Sequence, residues 1–66
     1  MTEIIIEKLL EQRDFYLNTL KQLEFQSVMD PTENELQEIE KLQTSTVEQL
    51  KKVEQEIAYL KSKESF

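Results

Sequence analysis

MDPTENELQEIE, residues 29–40, decides how this chain folds. It holds the only proline of a sequence without glycine, and Asp30, Glu33, Glu35, Glu38 and Glu40 crowd into it with no lysine or arginine among them. Proline cannot donate a backbone hydrogen bond and pushes the preceding residue away from helical dihedrals. Pro31 therefore separates two segments. Two overlapping arrangements start a helix here: Asp30 as N-cap with Pro31 at the first helical position and Glu33 at the third, or Thr32 as cap with Glu35 reaching back.

On either side of this break the apolar residues recur at three- and four-residue steps, which is helical periodicity. Before it, Thr2 is placed to cap a helix. Ile6, Arg13, Leu20 and Ser27 occupy heptad position a, Leu9, Tyr16 and Leu23 position d, and Leu10 and Leu17 widen the stripe at e. After it, Leu36, Ile39, Gln43, Thr46, Leu50, Val53, Ile57 and Leu60 keep one unbroken a/d register. Gln43 to Val47 is a run of weak helix formers within it. The reading is all-α: helix 1 over about 3–29, a turn at about 30, helix 2 over about 31–62 and a frayed tail at 63–66. Two such helices, roughly 40 to 48 Å long, must fold back as an antiparallel helical hairpin, a two-helix coiled coil.

A pivot at residue 30 pairs Leu23 with Leu36, Leu20 with Ile39, Tyr16 with Gln43, Arg13 with Thr46, Leu9 with Leu50 and Ile6 with Val53. The polar interruptions of the two seams then coincide. Arg13, Tyr16, Gln43 and Thr46 read as a polar layer that fixes helix register, since buried polar groups need partners. On this pairing Ile57 and Leu60 run past the start of helix 1 and require another cover.

Sixty-six residues are near the lower limit for a self-sufficient core. With no cysteine and no histidine, neither disulfides nor imidazole-thiolate zinc sites can supplement it. Self-association is the remaining source, and the expected form is a homodimer of hairpins making a four-helix bundle. Large apolar residues off the seam agree: Phe15 and Tyr59 at c, Phe25 at f, Leu42 at g and Val47 at e, with Ile4 and Ile5 outside the first seam. Of these, Phe15, Phe25, Leu42 and Tyr59 are the candidate partner-binding residues.

The net charge is −6, and residues 24–40 hold six acids and no base, so the other eight acids and eight bases cancel. That balance disfavours nucleic acid and anionic lipid as partners. The acidic tip (Asp30, Glu33, Glu35, Glu38, Glu40) is suited to a basic surface on another protein. As a calcium loop it fails: Asp30, Thr32 and Asn34 have the one, three, five spacing, but Glu35 stands where glycine is needed and Lys41 where a bidentate glutamate is needed. Without histidine, cysteine or glycine there is no catalytic triad, thiol nucleophile or phosphate-cradling loop. The carboxylates read as solvated helix faces.

No cofactor is implied, and with an apolar run no longer than Ile4-Ile5-Ile6 and no leader pattern the expected location is the cytoplasm. The leading expectation is a non-enzymatic protein-interaction module, a small regulator or inhibitor. A structural self-assembly unit is the alternative, and an acidic mimic of nucleic acid is a weaker one, because the excess charge is gathered at one end.

Overall fold

The computed structural model describes residues 2–64 and consists of two helices, α1 (Thr2–Ser27) and α2 (Glu33–Glu64), packed along their length as an antiparallel hairpin of 51 × 14 × 14 Å. The expected cap at Thr2 falls on a side chain outside the described set, and the last two residues of the expected tail lie outside it as well. Helix α2 continues to Glu64, past the expected end at 62, with Lys61 and Lys63 complementing the negative end of the helix dipole. The weak formers at 43–47 are helical throughout. Among the described residues no helix is long and apolar enough to cross a membrane.

The turn is built differently from the first of the two cap arrangements. Helix α1 stops at Ser27, with Val28 N–H donating to the Phe25 carbonyl and Met29 N–H to the Gln26 carbonyl, each at 3.2 Å, so the last turn tightens as it ends. Asp30 then takes a left-handed backbone, φ 56°. It leaves α1 and does not cap α2. Thr32 is the N-cap: its carbonyl accepts the first helical bond from Leu36 N–H at 2.9 Å, and its Oγ1 accepts from Glu35 N–H at 3.2 Å. The Glu35 carboxylate reaches back to Thr32 Oγ1 at 3.1 Å and Thr32 N–H at 3.5 Å. Pro31 therefore precedes the cap, and α2 begins at Glu33, two residues later than the alternative placement.

The seam is the one the heptads define. Leu9, Leu23, Ile39, Val53 and Ile57 are buried, and Ile6, Arg13, Tyr16, Leu20, Gln43, Leu50 and Leu60 are half-buried between the helices. Each fully buried aliphatic side chain is worth roughly 1.5 to 3 kcal/mol, so these few positions carry the fold. No described side chain is completely enclosed.

The axial offset of the two helices departs from the pivot at residue 30. Leu9 clusters with Val53 and Ile57, and Leu10, Tyr16 and Leu60 pack against that cluster, where the pivot had set Leu9 against Leu50. Ile57 and Leu60 are thus covered by α1 itself and need no other cover. At the other end Leu36 stays 38% exposed, and Ile39 is the first side chain of α2 to be buried. The reason is the five-residue turn, in which two extra residues before Glu33 slide α2 along α1.

Candidate functional site

An antiparallel pair has two edges. Its local two-fold axis is perpendicular to the plane of the helices, so g positions of both helices lie on one edge and e positions on the other. A hollow of about 250 Å³ at the hairpin tip shows this directly: it is lined by Gln26 of α1, by Met29 and Pro31 of the turn, and by Glu35, Glu38 and Leu42 of α2 among others. Gln26, Glu35 and Leu42 are all g positions.

Continuing outward to c, this g/c side carries Ile5, Phe15, Leu42 and Tyr59, interspersed with Gln12, Thr19, Gln22, Ser45 and Gln49. The large residues are open to solvent: Phe15 is 65% exposed, Tyr59 58% and Leu42 54%. Phe15 lies edge-on to Tyr16, ring centroids 5.7 Å apart. The Lys63 ammonium sits 4.9 Å from the Tyr59 ring centroid, a cation–π contact that covers one face of the ring. Three of the four candidate partner-binding residues therefore share one side. Phe25, at f, does not join them and lines a shallow depression with Lys21, Glu24 and Val28 on the outer surface of α1.

On the e edge, Leu17 and Val47 remain partly exposed beside the half-buried Leu10. Two large exposed residues at the tip, Val28 and Met29, were not singled out from the sequence. Their signal was available, since two apolar residues immediately before an Asp-Pro turn have no helix face to be buried on.

The five acidic-tip residues are exposed. They do not act alike: Glu35 uses an oxygen in the Thr32 cap, Asp30 shapes the turn through its backbone, and Glu33, Glu38 and Glu40 project from the first turns of α2. Among the described residues no three carboxylates converge to hold a metal ion.

The polar layer is brought to the seam, with Thr46 buried and Arg13, Tyr16 and Gln43 half-buried. Thr46 is satisfied within its own helix, its Oγ1 donating to the Leu42 carbonyl at 2.6 Å. Thr19 and Thr44 do the same, to Phe15 and Glu40. Arg13 is less well served. Its Nη2 lies 3.9 Å from Asp14 Oδ1, while its Nε is buried with no hydrogen-bond acceptor. The chain matches no protein-family model, no curated protein and no solved structure.

Proposed function

We propose that this chain is a non-enzymatic protein-interaction module, a small regulator or inhibitor that docks an apolar helical face on a partner protein and presents its acidic tip to a basic surface there. The observation that carries this reading is the number of large apolar side chains left in solvent by so small a fold: Phe15, Phe25, Val28, Met29 and Tyr59 are each more than half exposed. Scattered single apolar residues are ordinary, but Phe15, Leu42 and Tyr59 share the g/c side, and several large apolar residues along one rigid side are the mark of an interface.

The tip supports the same reading. Six carboxylates without a base over residues 24–40 accelerate encounter with a positive surface and exclude a negative one. The test is the association rate with a candidate partner after Glu33, Glu35, Glu38 and Glu40 are changed to glutamine. Glutamine at position 35 still serves the cap. The on-rate and its salt dependence are expected to fall; unchanged values of both sink the steering role.

A second reading, self-assembly into a four-helix bundle, is favoured by the exposed area. A folded monomer of this mass is expected to expose about 4,400 Å², and this hairpin exposes 5620 Å². The excess, about 1,200 Å², follows from the elongated 51 × 14 × 14 Å shape, and a second hairpin packed along one side is a way to bury the ~800 Å² of a standard interface. Self-assembly through the g/c side would take Phe15 and Tyr59, and the two readings are compatible with Phe25 and the e edge (Leu17, Val47) remaining for a foreign partner.

A further inference from the structure

We infer that a second copy of this chain covers the g/c side, packed tip to open end, with the two-fold axis passing beside Phe15. This rests on the self-assembly reading and adds to it the face, the direction and the contacts.

The face is chosen by charge. The g/c side holds Lys8, Lys52 and Lys63 against Glu35, Glu38 and Glu56, a net charge of zero, whereas the e/b side carries seven acids (Glu3, Glu7, Asp14, Glu24, Glu33, Glu40, Glu54) against three bases (Lys21, Lys51, Lys61). A surface that packs on its own copy cannot carry a large charge of one sign, because every charge meets its own kind within the interface.

The direction is chosen by where those charges lie. Glu35 and Glu38 are at the tip; Lys52 and Lys63, with Glu56 between them, are toward the open end, where Ile57 packs on Leu9. Pairing tip to tip crowds the carboxylates of both copies together. Tip to open end places Glu35 and Glu38 of one copy beside Lys63 of the other, at both ends of the dimer, with Lys52 nearer the axis.

The contacts follow from spacing. In an isologous pair a residue on the axis meets its own counterpart. Phe15 is ten residues after Ile5 and eleven before Gln26, about 15 and about 16 Å along α1 at 1.5 Å per residue. An axis at Phe15 therefore brings Ile5, and Tyr59 at the same end, onto the tip hollow of the other copy, floored by Met29, Pro31 and Leu42 and rimmed by Glu35 and Glu38. Tyr59 arrives with Lys63 already over its ring, so an apolar ring enters the hollow while its ammonium reaches the acidic rim.

The chain has no cysteine, so Phe15→Cys gives a single reporter, and disulfide formation requires Cβ atoms about 3.5 to 4.5 Å apart. The full chain is sized by light scattering, and the F15C and F25C variants are oxidised under mild conditions after their helicity has been checked by circular dichroism. The expected result is a mass twice 7.9 kDa, with F15C crosslinking in high yield and F25C, on the outer surface, remaining reduced. A dimer in which F15C fails to crosslink, or in which F25C crosslinks equally well, overturns the proposed geometry and leaves self-assembly standing. A monomer overturns both. As an independent measure, Glu38→Lys should weaken association and the added Lys63→Glu should restore it. Failure of the double variant to recover overturns the tip-to-open-end direction.

Discussion

Arg13 is the residue whose replacement tests the packing most directly. Its Nε is enclosed in the seam with no acceptor, and a buried donor left unpaired costs about 1 to 3 kcal/mol. What the guanidinium gains in return is small: Asp14 is 3.9 Å from Nη2, the two side chains are 38% and 67% exposed, and an exposed pair between adjacent helix residues is worth at most about 0.5 kcal/mol. Lysine keeps the charge and the aliphatic stem and puts a methylene where arginine has Nε. Arg13→Lys is therefore expected to stabilise the hairpin by about 1 kcal/mol, and Arg13→Leu, which also gives the seam an apolar a residue, by about 1 to 2 kcal/mol. Arginine, lysine and leucine have similar helix propensities, so the comparison is free of that term. Urea and thermal unfolding followed by circular dichroism measure it, at one fixed protein concentration because association adds to apparent stability. For a domain this small each kcal/mol is about 4 to 8 °C in Tm. A lysine variant less stable than the parent refutes the reasoning, since it would mean that Nε has an acceptor in solution.

Two further substitutions separate alternatives within the fold. Thr32→Ala removes the cap of α2 and should cost about 1 kcal/mol, whereas Asp30→Gly, at a left-handed residue, should stabilise by up to about 1 kcal/mol; paired urea melts decide it, and a loss at Asp30 with none at Thr32 would return the cap to Asp30. Ile57→Ala should cost about 2 kcal/mol or more because Ile57 packs with Leu9 and Val53, while Leu36→Ala, at a side chain 38% exposed, should cost under about 1 kcal/mol. Equal losses at the two sites would restore the pivot at residue 30.

The faces of the two helices were legible in the sequence, and their offset was not. Heptad spacing says which side of each helix is buried, and, Thr19 apart, the buried and half-buried residues from Ile6 to Leu23 and from Ile39 to Leu60 follow it. Nothing in that spacing fixes how far one helix slides along the other. That is set by the turn, where Asp30 at φ 56° and Thr32 as cap delay α2 to Glu33. Both cap arrangements satisfied the sequence rules, because Asp-Pro-x-Glu and Thr-x-x-Glu overlap by two residues. The choice between them moves Ile57 under α1. Of the candidate site, the pattern located the exposed aromatics but left Phe15, Leu42 and Tyr59 unconnected, since their common edge exists only once the helices are paired antiparallel. The orphaned Nε of Arg13 is likewise a property of the packed seam.

The turn has one more consequence. Each helix is the other's only described cover, and what keeps them together is five linking residues, of which Val28 and Met29 stand well out in solvent. Tethering of this kind holds two partners at an effective concentration of the order of millimolar. A single proteolytic cut between Val28 and Met29 would remove no contact from the seam, yet at micromolar concentrations it would turn a folded hairpin into two dissociated, largely unwound peptides. The lifetime of the whole molecule is in that sense written in one exposed bond of its turn.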